Sequence, residues 1–158
     1  MNPESLQKMI GRTSEPFILE VDRSSIKKFA DAVGDKNPLY WNEEFARNTK
    51  YGSQVAPPGF FGWPVQWDNA MPFSSALRGD LLDQFVKEGY RVILDGGIEY
   101  DFNYPIRVGD ILSSVVRIAD IKEKESKGKS MFFSIIETLY TNQNGFVAAI
   151  ARQTLISR

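Results

Sequence analysis

The chain has 158 residues, 42% apolar and 25% charged, with a formal net charge of −1; this is the balance of one globular domain with its own core, expected to span 1–158, and it offers no broad positive field for a nucleic-acid backbone. It contains no cysteine and no histidine, which excludes disulfides, thiolate nucleophiles, an imidazole base and the commonest metal ligand, and no carboxylate spacing marks a hard-cation site. With no basic leader before an apolar run, and no apolar run of roughly 18 residues, a cytoplasmic protein without a membrane partner is expected.

Phe17 to Val21 alternates weakly and reads as a first strand. From Ser24 to Val33, Ile26, Phe29, Ala30 and Val33 recur at the spacing of one helix face. Asp22 or Ser24 is placed to cap its start, and Gly34 to end it in the left-handed region. Asn37-Pro38 imposes an extended or turn geometry, and Asn42 caps a short helix through Phe45 and Ala46. A buried helix is expected to begin somewhere from Pro58 to Pro64 and to run toward Asn69 or Ala70. A short helix over Asp80 to Lys87, ended by Gly89, follows.

From Arg91 the period becomes two. Val92 to Leu94, Ile98 to Tyr104, Ile111 to Ile121, Ser130 to Tyr140 and Phe146 to Ile156 read as strands. The charged run from Lys122 to Lys129 is the exposed turn between two of them, and Asn142 to Gly145 is a hairpin turn. Helices followed by an antiparallel meander define an α+β domain with helix packed on one sheet face.

Three segments carry a resemblance. They are Phe29-Ala-Asp-Ala-Val-Gly-Asp-Lys-Asn-Pro-Leu-Tyr40 with Glu44-Phe-Ala46, then Tyr51-Gly-Ser-Gln-Val-Ala-Pro-Pro58, then Asp101-Phe-Asn-Tyr-Pro-Ile-Arg-Val-Gly-Asp110. In this order and at these intervals the chain resembles the MaoC-like dehydratases, and within them the branch similar to the N-terminal, fatty-acid-synthase-type dehydratases. The resemblance implies a hotdog fold, an antiparallel β-sheet wrapped around a central α-helix. It also implies an acyl-thioester ligand on coenzyme A or acyl-carrier protein, no cofactor, and water added to or lost from the β-carbon. In catalytic members an aspartate and a histidine act on that water while backbone N–H groups at a helix start hold the thioester oxygen.

Carried over residue by residue, the family's Asp, Asn and His fall on Asp35, Asn37 and Tyr40. A phenol titrates near 10 and is a poor base at neutral pH. Pro57 and Pro58 have no N–H, so Gly59 and Phe60 are the first available oxyanion donors. Gly59, Phe60, Phe61, Trp63 and Trp67 are the candidate acyl-binding residues, and Arg107 and Lys129 are candidates for a carrier phosphate. Each has a plain alternative. Asp35 and Asn37 suit turn capping, Tyr40 and the aromatic cluster suit core packing, and the two cations suit solvation.

Three functions follow. The first expectation, which the resemblance implies, is a non-catalytic, acyl-binding subunit of a heteromeric (R)-specific enoyl-thioester hydratase or 3-hydroxyacyl-thioester dehydratase, paired with a His-bearing hotdog chain. The alternatives expected are a homodimeric hydratase using Asp35 with Tyr40, Asp95 or Glu99, or a non-enzymatic acyl-thioester binder.

Overall fold

Six antiparallel strands curl around one helix in the computed structural model, which describes residues 3–65, 76–126 and 128–158. The order across the sheet is β2-β1-β4-β5-β6-β3. These strands are β1 (Phe17–Glu20), β2 (Trp63–Pro64), β3 (Ile93–Phe102), β4 (Ile111–Ser126), β5 (Lys129–Asn142) and β6 (Val147–Ser157). The helices are α1 (Pro3–Gln7), α2 (Arg23–Ala32), α3 (Pro38–Trp41), α4 (Glu43–Arg47) and α5 (Ala76–Lys87). This is the hotdog architecture.

The central helix is α5. Leu77, Leu81 and Phe85, four apart, bury one stripe against Val116, Ile118, Phe132, Ile136 and Leu155 of the inner sheet face. Phe85 is fully buried between Tyr90 and Phe132. The second half of the core gathers Ile26 and Ala30 of α2, Leu19, Leu112, Tyr140 and the loop aromatics Phe60 and Phe61. Asp22 caps α2 by accepting from the Ser25 N–H at 3.0 Å, and Gly34 follows it with φ 72°. Asn37 keeps an extended ψ of 123° and caps α3, with Pro38 in the first turn.

Several expectations need correction. No helix starts between Pro58 and Pro64. Gly59 and Gly62 hold φ of 88° and 90°, which no right-handed helix accommodates, and Trp63–Pro64 instead pairs with β1. The remainder of that expected helix lies outside the described residues. The helical core element is α5, which begins four residues before Asp80; Arg78, Gly79 and Asp80 interrupt its apolar period and hid its start. Val92–Leu94 and Ile98–Tyr104 are one strand, continuous through a register shift at Asp95/Gly97. The charged run after Ile121 is mostly strand, since β4 continues to Ser126 and pairs there with Lys129. The sheet extends past its core at this end, so Lys122 to Glu125 stay exposed on both faces. Thus charge marked a solvated hairpin without marking its turn.

Candidate functional site

The loop from Pro57 to Gly62 divides two adjoining cavities. The first, about 320 Å³, is lined by Ser25, Lys28 and Phe29 of α2, by Gly59 to Pro64, and by Tyr140. Phe29 and Phe60 lie 5.4 Å apart, and Phe61 stacks on Tyr140 at 3.9 Å. Gly59, Phe60, Phe61 and Trp63 therefore share one apolar wall, as an acyl-binding set requires. Trp67 lies outside the described residues.

The second cavity, about 400 Å³, is where the three sequence segments converge: Asn37 and Tyr40 from the first, Tyr51 and Val55 to Pro58 from the second, Phe102 to Ile106 from the third. Segments tens of residues apart meet because β3 leads into the 103–106 turn, where Ala56 N–H donates to Ile106 O at 2.7 Å. Asp35 lines neither cavity. Its Oδ1 accepts from the Asn37 N–H at 2.9 Å, while Asn37 Oδ1 accepts from the Leu39 N–H at 3.1 Å. Both side chains thus hold the turn that presents Tyr40.

Tyr40 is 7% exposed, and no hydrogen bond from its hydroxyl to a described residue is present. Burial, then the Asp35 carboxylate and Tyr51, raise its pKa above the ordinary phenol value. At neutral pH it is a donor facing a cavity, not a base. Burial likewise raises Tyr100 and, far more, Tyr140, whose shift Tyr100 reinforces.

The oxyanion cradle expected at a helix start is not formed at Gly59: among the described residues no helix begins there, and the Phe60 N–H already donates to Pro57 O at 3.0 Å. Of the two expected donors, only the Gly59 amide remains uncommitted among the described residues. Arg107 spends its Nε on Tyr51 O, 3.2 Å away, and so fastens the second cavity's wall. Lys129 starts β5 and Tyr140 stands 11 residues along it, about 36 Å at strand rise, so Lys129 reaches neither cavity. Asp95 and Glu99 lie on β3 and line neither cavity. Asp95 instead accepts from the Gly97 N–H.

Two positioning residues were not singled out from sequence. Gln54, 2% exposed, donates from Nε2 to Tyr40 O at 3.1 Å and ties the second segment to the first. Tyr51 accepts from Arg107 and borders Tyr40. Both stand inside the second segment, but a polar residue buried by tertiary contact carries no periodic signal. Among the described residues no three metal-ligating side chains gather, and no helix is long and apolar enough to cross a membrane.

Residues 8–151 match the FAS1-like dehydratase domain region family. The chain belongs to this family. Among its relatives, a UPF0336 protein of Parafrankia sp. is 31% identical over 96% of this chain and 93% of its own. A Thermomonospora curvata protein named "Probable enoyl-CoA hydratase alpha subunit" is 29% identical over 96% of this chain and 50% of its own. Among solved folds, a chain of the ChsH1-ChsH2 complex from Mycobacterium tuberculosis superposes with TM-score 0.79 at 18% identity, covering 98% of this chain and 92% of that one. A chain of the HadBC (3R-hydroxyacyl-ACP dehydratase) complex of the same organism gives 0.66 at 23%, covering 94% and 96%. A MaoC-like dehydratase from Rhodospirillum rubrum gives 0.61 at 20%, covering 94% and 91%. These solved chains share the hotdog sheet seen here.

Proposed function

We propose that this chain is the acyl-binding, non-catalytic subunit of a heteromeric enoyl-thioester hydratase or 3-hydroxyacyl-thioester dehydratase. The observation that carries the reading is Tyr40. A buried, protonated phenol stands at the position where the resemblance places the catalytic histidine, in a chain with no histidine at all. The apolar wall for an acyl group is nevertheless intact. The ligand is the acyl group of a coenzyme A or carrier-protein thioester. Its chain packs against Phe29, Phe60, Phe61 and Trp63, and its thioester oxygen is held by the Gly59 N–H or the Tyr40 hydroxyl.

A second hotdog chain bearing the histidine supplies the proton transfer. Its docking surface is β3, the terminal strand of the sheet, which leaves Ile98 and Phe102 39% and 47% exposed beside a backbone edge unpaired among the described residues. The heteromeric ChsH1-ChsH2 and HadBC neighbours support this arrangement.

The test is hydration of crotonyl-coenzyme A, followed by loss of enoyl absorbance. The purified chain alone is expected to be inactive, and turnover to appear on adding a His-bearing hotdog chain from the same source. Brisk turnover by the lone chain, abolished by Asp35→Asn, would establish the homodimeric enzyme instead. Binding without turnover under any pairing would leave an acyl-thioester carrier or scaffold.

A further inference from the structure

An antiparallel sheet with one solvated face normally turns polar side chains outward. This one does so incompletely. Phe132, Ile136 and Tyr140 of β5 point into the core, so the alternate positions Ile135, Glu137 and Leu139 point out. Leu139 is in register with Val115 on one side and Ile150 on the other, and Ile135 lies beside Thr154. These apolar residues are only half-buried and belong to neither core cluster.

Across the middle of this outer face runs a row of alternating charge. Register places Arg117 of β4 beside Glu137 of β5, Glu137 beside Arg152 of β6, and Arg152 beside Glu99 of β3. Arg117 reaches Glu137 at 2.6 Å, and Arg152 reaches Glu137 at 3.0 Å and also pairs with Asp101. The centre of the row is nearly closed to solvent, with Glu137 8% exposed, whereas Arg117 at one end and Asp101, beside its other end on β3, keep side-chain exposures of 49% and 59%.

Read from β4 to β3 the signs are plus, minus, plus, minus; read backwards they are minus, plus, minus, plus. We propose that this outer face is a self-complementary interface, on which a second copy of the chain stacks sheet to sheet about a two-fold axis running between β5 and β6 and parallel to them. That axis reverses the row. Arg117 then faces Glu99 of the second copy, and Glu137 faces its Arg152, so opposite charges meet at every position over a row about 14 Å wide. A two-fold axis at right angles to the strands keeps the row's order and sets like charge on like. The same reversal brings Leu139 over Ile150 of the second copy and Ile150 over its Leu139, apolar on apolar at the centre, while Val115 at the margin meets the second copy's Asp101. Charge complementarity therefore selects both the occupant and its orientation. The face uses the outward side chains of β3, whereas the β3 edge uses that strand's backbone and its inward Ile98 and Phe102, so the inference stands independently of the proposed function.

The test uses the full chain with Leu139→Lys and Ile150→Asp, two outward positions whose change leaves the β3 edge untouched. In native mass spectrometry and sedimentation, each variant alone is expected to weaken self-association by roughly tenfold or more, because a charge is set against the apolar row. Mixing the two is expected to restore association as mixed pairs, since the introduced lysine of one chain then meets the introduced aspartate of the other. No effect within one folded chain produces that rescue. A monomeric wild type, self-association indifferent to both charged variants, or the absence of mixed pairs would overturn the proposal.

Discussion

The Tyr40 phenol is buried against a cavity without bonding to any described residue, and that geometry separates two roles usually read together. A side chain kept only for packing loses little when its hydroxyl is removed. A hydroxyl aimed at a ligand loses one hydrogen bond to that ligand, worth about 1 kcal/mol or roughly fivefold in Kd. Tyr40→Phe is therefore expected to leave the melting temperature nearly unchanged while weakening crotonyl-coenzyme A binding by that factor in a calorimetric titration. Equal affinities would assign Tyr40 to packing alone. Asp35 and Asn37 are a different case. Their carboxylate and amide oxygens close successive turns through backbone N–H groups, a role their types and spacing already announce.

Where β1 ends, the 57–62 loop crosses it. A methyl group added at Gly62 would stand 2.4 Å from Glu20 O, and the φ of 90° there is strained for any other residue. Gly89, after α5, has a similar φ of 93° but open space around it. Gly62→Ala is thus expected to cost about 2–3 kcal/mol or more in a urea titration, against about 1 kcal/mol for Gly89→Ala. The larger loss should be accompanied by weakened acyl-thioester binding, because the displaced loop walls both cavities. The same element shows why the sequence misplaces the central helix. Prolines at 57, 58 and 64 amid aromatics resemble a helix entry, and only the collision partner, more than forty residues earlier in the chain, explains why glycine must hold a turn there instead.

For the molecule as a whole, the buried tyrosines set an alkaline limit. Folding raises the pKa of Tyr40, Tyr100 and Tyr140 above 10, mainly through burial. Above about pH 10 the unfolded chain releases phenolic protons that the folded chain retains. The unfolded state then binds fewer protons, and stability falls as pH rises. The contribution is complete below the unfolded value and is lost through the folded ones. Melting temperature is expected to be level from about pH 8 to 9.5 and to fall beyond pH 10, with ionisation at 295 nm accompanying unfolding. Tyr140→Phe should make that fall shallower relative to its own neutral-pH value, and an unchanged slope would contradict the assignment.

Much of this was legible locally. The α2 cap at Asp22, the strand alternation after Arg91, the Asn37 turn and the three family segments depend on residues within a few positions of one another, so composition and spacing report them. Tertiary structure alone decided the rest. It placed the core helix at Ala76–Lys87, split the candidate residues between two cavities on either side of one loop, left Lys129 far from both, and aligned Arg117, Glu137, Arg152 and Glu99 in one row. The reason is physical. A period of 2 or 3.6 states which way a side chain faces, but what it meets is set by strand register and chain crossing, which join residues far apart and leave no mark on their spacing.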